Sequence, residues 1–208
     1  MSACCRHVLG LLLSIIGFLG TIFICALPLW KVSAFVGSSI TTSQIDFVGL
    51  WVTCVMRSTG KMQCKSYNSI QDLSKDLQGA RVLIVFAIII EFCGILLSVV
   101  GSKCINFVPN KWQKTKVVIA SGVLFFIAGI LVALPVSSCW INLTNSMNSN
   151  ILFLDDVHRV EPGAVLYIGW ATAGLLCLGG GLLCCSFSTR NETEYVVGYS
   201  RAESVEAR

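Results

Sequence analysis

The chain has 208 residues and a formal net charge of +4, yet 55% of it is hydrophobic and only 12% is charged, with a mean hydropathy of +0.78. Soluble domains carry about 25% charged residues, so this balance excludes an ordinary one- or two-domain soluble protein and points to an integral membrane protein. With two histidines, His7 and His158, and no metal-ligand cluster or phosphate-binding loop, an enzyme is not expected, nor are a cofactor, a metal site or a nucleic-acid partner.

The missing charge is concentrated in four stretches. Residues 8–29, 117–136 and 164–187 contain no charged side chain, and residues 82–102 contain one, Glu91. A helix needs about 20 apolar residues to cross a bilayer core, so these are four predicted transmembrane helices. The first is too long for the apolar region of a cleaved signal peptide. Its end at Pro28-Leu29-Trp30 lacks the small residues a cleavage site requires, so it reads as an uncleaved span.

Basic residues in the short connections set the expected orientation. Residues 103–116 carry Lys103, Lys111, Lys114 and Lys116 with no acid, which places that connection in the cytosol. Four spans return the chain to its starting side, so the stub at 1–7 and the tail at 188–208 are expected there too. The connections at 30–81 and 137–163 then lie outside the cell. The first of these holds six basic and three acidic residues, but it is long enough for charge to stop dictating topology, and its cysteine pair suits an oxidising compartment.

In chain order, the stub carries Cys4 and Cys5, candidates for reversible acylation at the membrane edge. Span one follows with Gly10, Gly17 and Gly20, small residues that allow close helix packing. At Trp30 the pattern turns to extended structure, with a strand over 30–36, a turn at Gly37-Ser38-Ser39 and a Thr/Ile-rich strand over 40–46. Next come two β-rich pieces, 49–55 and 62–66, around a turn at Ser58-Thr59-Gly60. Pairing them brings Cys54 and Cys64 together, and such a disulfide closes a short loop, contributing roughly 2–3 kcal/mol. Four short antiparallel strands fit this connection, and the 137–163 connection is the source for a fifth. Ile70, Leu73, Leu77 and Ala80 then share one helical face while Asp72, Lys75 and Asp76 point away, so a short amphipathic helix leads into span two.

Trp30, Gly49-Leu50-Trp51, Cys54, Cys64 and Arg81 match, in order, the residues that mark claudins. Around them stand Leu27-Pro28-Leu29-Trp30-Lys31-Val32, Met62-Gln63-Cys64-Lys65, Asp76-Leu77-Gln78-Gly79-Ala80-Arg81 and Gly179-Gly180-Gly181-Leu182-Leu183-Cys184-Cys185. From span one through span four the chain resembles the claudin family. The Gly-Leu-Trp and cysteine pattern alone is shared with a wider four-span group of peripheral-myelin-type proteins and calcium-channel γ subunits. An auxiliary subunit or adhesion protein of that group is the alternative reading.

The resemblance implies a membrane α protein: a left-handed four-transmembrane-helix bundle capped by a small extracellular five-stranded antiparallel sheet. It implies a structural tight-junction protein that polymerises with itself and other claudins, in cis and in trans, to form a paracellular barrier or a charge-selective pore. In that family the residue after the second cysteine helps set charge selectivity, and here it is Lys65. Arg57, Lys61 and Lys65 cluster around the hairpin with no acid between Asp46 and Asp72, so a path lined by them is expected to favour anions.

Several further residues are singled out. Glu91 in mid-span is costly unless it faces the protein interior, and a satisfied contact with a backbone carbonyl or a serine is expected there. Cys104, Cys184 and Cys185 match positions acylated in claudins, and Trp112 in a basic connection suits anionic lipid. Asn142-Leu143-Thr144 is a candidate glycosylation sequon, and Cys139 is left over from the family's pairing, as a free thiol or an intermolecular link.

Two features depart from the family. Claudins commonly carry a Phe-Tyr-Asn-Pro-like turn in the second connection, where this chain has Met147-Asn148-Ser149-Asn150. Adhesion there would fall to Ile151, Leu152 and Phe153. The tail is expected to be disordered and ends Val205-Glu206-Ala207-Arg208. A terminal Arg does not fit the apolar pocket that takes a Tyr-Val end, so a PDZ scaffold of the zonula occludens type is not an expected partner.

Overall fold

In the computed structural model, residues 3–36, 43–67, 73–101, 111–150 and 158–206 are described. The elements in order are α1 (Ala3–Ala26), β1 (Lys31–Val36), β2 (Ser43–Val48), β3 (Val52–Arg57), β4 (Met62–Ser66), α2 (Lys75–Gly101), α3 (Lys111–Asn150), β5 (His158–Pro162) and α4 (Ala164–Glu206). Segments Cys5–Ala26, Lys75–Gly101, Thr115–Met147 and Ala164–Cys185 are each long and apolar enough to cross a membrane. Outward-facing side chains such as Leu12, Phe86, Phe126 and Leu178 keep their surfaces apolar. With a five-stranded antiparallel sheet, this is the membrane α fold with a small β-sheet that the sequence predicts.

Element ends differ from the expected ones for local reasons. Span one, expected to reach Leu29, stops being helical at Ala26. Pro28 disfavours helical geometry at the residue before it. Helix α2 starts at Lys75 and runs unbroken to Gly101, so the amphipathic lead-in and the span are one helix. Leu73, Leu77 and Ala80 are buried and Lys75 and Asp76 exposed, as the pattern predicted, while Ile70 and Asp72 lie outside the described residues. Helices α3 and α4 overrun their expected spans, to Asn150 and Glu206. The tail expected to be disordered is therefore helical as far as Glu206. Extending an existing helix adds one hydrogen bond per residue fixed, without the cost of nucleation.

The chain divides into two compact units. The first comprises residues 1–18, 89–129 and 174–208. Its packing rests on small residues, as expected for helices in lipid. A Cβ on Gly10 would stand 3.1 Å from the Gly179 carbonyl oxygen, and one on Gly17 2.7 Å from the Leu176 side chain. Helix α3 meets α4 in the same way, with a Gly122 Cβ position 2.8 Å from the Gly180 carbonyl oxygen. Ser14 and Ser121 are buried, and their hydroxyls donate to the carbonyls of Gly10 (2.9 Å) and Val118 (2.8 Å). Glu91 is fully buried in α2, the inward placement predicted for it.

The second unit comprises residues 19–88 and 130–173 and contains the sheet. Strand order is β4-β3-β2-β1-β5, and every neighbouring pair is antiparallel. The fifth strand comes from the second connection, as expected, and pairs with β1 from Lys31↔Pro162 to Phe35↔His158. Residues 49–51 form the tight link from β2 to β3, closed by the Gly49 amide on the Val52 carbonyl at 3.0 Å, so β3 starts at Val52 rather than Gly49. Strand β2 occupies Ser43–Val48, shifted from the predicted 40–46, and residues 37–42 lie outside the described residues.

Candidate functional site

Antiparallel pairing fixes which side chains share a face, because directly opposed residues project the same way. One face collects Ile45, Phe47, Cys54, Met56 and Cys64. The other is polar and runs in three rows across the strands. Lys65, Thr53, Val48 and Lys31 form the first row and Gln63, Val55, Asp46 and Ser33 the second, with Arg57 opposite Gln44 in the third. On this face a groove of about 450 Å³ is lined by Gln44, Thr53, Val55, Arg57, Gln63, Lys65, Ser66 and Tyr67. Strict alternation along β3 (Thr53, Val55, Arg57) and β4 (Gln63, Lys65) is what separates it from the disulfide side.

The hairpin that carries the groove is held at both ends. At its tip the Gly60 amide donates to the Arg57 carbonyl at 2.9 Å, and Gly60 has φ of +73°. This is the three-residue loop with glycine in the left-handed region that suits a hairpin. Further along, Cys54 and Cys64 are directly opposed, their Cα atoms 4.0 Å apart, and joined by the disulfide that the sequence predicts. Cys54 is buried and Cys64 exposed.

The base is locked by the residues that carry the family resemblance. Trp30 is fully buried, and its indole Nε1–H donates to the Ile24 carbonyl at 3.0 Å, which satisfies its one polar atom. A Cβ on Gly49 would lie 2.4 Å from the Cα of Pro28, so only glycine fits there. Leu50 is buried, and its carbonyl accepts from Nε of Arg81 at 3.1 Å and also from Arg81 Nη2. The Arg81 guanidinium lies 4.5 Å from the Trp51 ring centre and 5.9 Å from that of Tyr67. Trp51 stays 42% exposed and donates its Nε1–H to the Cys25 sulfur at 3.3 Å.

The structure thus brings Arg57 and Lys65 onto one groove and gathers Trp30, Gly49, Leu50, Trp51 and Arg81 around the β2–β3 link. Lys61 is exposed after the turn and is not among the residues lining the groove. Cys185 is exposed, whereas Cys184 packs against α3 with its Sγ 3.8 Å from the Ile119 carbonyl oxygen; Cys104 lies outside the described residues. Asn142 sits half-buried within helix α3, and the Thr144 hydroxyl of its sequon donates to the Trp140 carbonyl at 2.8 Å. Cys139 is a free thiol, 2% exposed. The adhesive alternatives Ile151, Leu152 and Phe153 lie outside the described residues.

Sequence reasoning missed four contributors. Tyr67 accepts from the Thr53 hydroxyl at 2.5 Å and donates to the Gly49 carbonyl at 3.2 Å, tying the groove wall to the base. Gly163 permits a backbone approach in which a Cβ would fall 1.7 Å from the Leu29 carbonyl oxygen; the Pro162-Gly163 pair before span four was its signal. Asp46 and Gln44 share the polar face, with Gln44 Nε2 donating to Asp46 Oδ1 at 2.9 Å. Counting alternate positions along β2 would have placed them there.

A disulfide-stapled sheet together with four membrane-length helices defines a class of four-span membrane proteins, and the relatives define it further. The family model described as PMP-22/EMP/MP20/Claudin family matches residues 6–183. The chain is 48% identical to Claudin-4 of Bos taurus over 201 residues, covering 97% of this chain and 95% of that protein. It is 48% identical to the Claudin-like protein ZF-A89 of Danio rerio over 200 residues, covering 95% and 94% respectively. Against Claudin-3 of Homo sapiens it is 46% identical over 200 residues, covering 95% and 90%. The chain belongs to the claudin family.

Proposed function

We propose that this claudin polymerises with itself and with other claudins at tight junctions and that the polar face of its sheet lines a paracellular path favouring anions over cations. Claudin membership supports a structural, multi-pass tight-junction role and weighs against both an enzyme and the auxiliary-subunit alternative. The observation that carries the selectivity is the groove with Arg57 and Lys65 among its walls and no acid among the described residues that line it. Both termini lie in the cytosol in this reading, supported by the even number of spans and by Lys103, Lys111, Lys114 and Lys116 between spans two and three. The basic charge of that connection and its Trp112 suit an anionic lipid surface.

Magnitudes set the expected selectivity. A unit charge about 7 Å from a permeating ion contributes about 0.6 kcal/mol in bulk water. Screening over a Debye length of about 8 Å reduces this to roughly 0.25 kcal/mol. Two cations act with opposite sign on chloride and sodium, which separates them by about 1 kcal/mol, or roughly fivefold. The test is Lys65→Asp in an epithelial monolayer, read as sodium/chloride dilution potentials. A fall of about fivefold in the chloride-to-sodium ratio is expected, whereas unchanged potentials would leave the protein a barrier. Polymerisation is tested by expression in cells without junctions, where freeze-fracture strands are expected and their absence counts against it.

A further inference from the structure

Asp46 precedes the basic cluster in sequence and stands outside it there, but the strand register puts it at the centre of the basic face. It opposes Val55 on one side and Ser33 on the other. Arg57 opposes Gln44, and Lys31 opposes Val48, so both cations are diagonal neighbours of Asp46 on adjacent strands. Such diagonals bring Cα atoms to about 7–8 Å, within reach of long side chains and within one Debye length. Lys65 is two strands away and one row displaced.

We propose that Asp46 is a specificity-determining residue, which cancels about one of the two unit charges of Arg57 and Lys31 and so weakens the net positive field of the face. This rests on the paracellular-path reading above. The carboxylate is held in place by Gln44, whose Nε2 donates to Oδ1 at 2.9 Å. Gln44 itself lines the groove opposite Arg57, so its hydrogen bond fixes the carboxylate beside a groove-lining residue. An ion passing at similar distance from Asp46 and Arg57 feels little net force from the two. The face therefore behaves as a weak anion selector tuned by one acid, not as a uniform ring of cations.

Asp46→Asn is nearly isosteric and keeps an oxygen to accept from Gln44, so it removes charge without removing the hydrogen bond. In the same monolayer assay it is expected to raise the chloride-to-sodium permeability ratio about two- to threefold, the effect of one screened unit charge. Arg57→Gln is expected to lower the ratio by about the same two- to threefold, so that the Asp46→Asn/Arg57→Gln double variant returns near the wild-type ratio. A double variant that stays at the Asp46→Asn ratio would overturn the compensation. Asp46→Glu, which keeps the charge, should stay near the wild-type ratio. An unchanged ratio in Asp46→Asn beside a working Lys65→Asp reversal overturns this inference and spares the path reading. Inert Lys65→Asp and Asp46→Asn together overturn both. A rise in Asp46→Glu equal to that in Asp46→Asn makes the effect one of packing and also overturns it.

Discussion

Arg81, at the start of the second spanning helix, donates two hydrogen bonds to the main-chain carbonyl of Leu50, 31 positions earlier. Its planar face meanwhile lies against Trp51 and Tyr67. One side chain thus ties the β2–β3 link to α2 through contacts that a point charge cannot reproduce. Charge-assisted bonds are worth about 1.5–3 kcal/mol and cation–π contacts about 0.5–2 kcal/mol. Arg81→Ala should lower the melting temperature of the detergent-solubilised protein by about 5–10 °C. Arg81→Lys should recover less than half of that loss. Full recovery by lysine would mean that charge alone matters.

Glycine substitutions separate tight backbone contacts from open ones. A Cβ at Gly49 would meet the backbone of Pro28 at 2.4 Å, and one at Gly163 the Leu29 carbonyl at 1.7 Å, and backbone cannot step aside. Gly174, in helix α4, has nothing within 4 Å of its Cβ position. Gly49→Ala and Gly163→Ala are expected to cost several kcal/mol, of the order seen for strained or overpacked sites, and to abolish delivery to the cell surface. Gly174→Ala should be neutral or gain up to about 1 kcal/mol from helix propensity. Surface biotinylation of the three variants checks the order.

What was legible in the chain follows from how locally each feature is determined. Gaps in charge revealed the spans, since bilayer thickness acts on composition. The alternation around Cys54 and Cys64, with Gly60 between, revealed the hairpin. What could not be read depends on pairing across distance. That Asp46 shares a face with Lys65, two strands away, follows only from the register Asp46↔Val55↔Gln63. Likewise, Arg81 carries no sequence signal that its partner is a carbonyl 31 residues upstream. The helical overruns at Asn150 and Glu206 were missed because polarity marks the edge of a membrane but not the end of a helix.

The disulfide makes the hairpin sensitive to reductant. Cys54 and Cys64 are 10 positions apart, and closing so short a loop contributes about 2–3 kcal/mol in the chain-entropy description. Because Cys64 is exposed, a small thiol reaches the bond without unfolding the sheet. Reductant should therefore lower the thermal midpoint of the wild-type protein, and a Cys54→Ser/Cys64→Ser double variant should start at the lowered value and no longer respond. A double variant that still responds would place the reducible bond elsewhere.

The two cysteines near the end of the fourth span face different surroundings, which predicts unequal acylation. Cys185 is exposed. The Cys184 sulfur lies 3.8 Å from the Ile119 carbonyl oxygen and 2.7 Å from where a Cβ on Gly122 would stand, so it fills the notch this glycine leaves on α3. Attaching a fatty acyl chain to Cys184 would require α3 and α4 to part where Gly122 and Gly180 make them approach. At Cys185 the chain could enter the lipid without moving protein. In cells labelled with an alkyne analogue of palmitate, in a Cys104→Ser background, Cys185→Ser should remove most of the hydroxylamine-sensitive signal from this pair and Cys184→Ser little of it. Equal losses would show that the α3–α4 contact opens at the membrane edge often enough for both thiols to react.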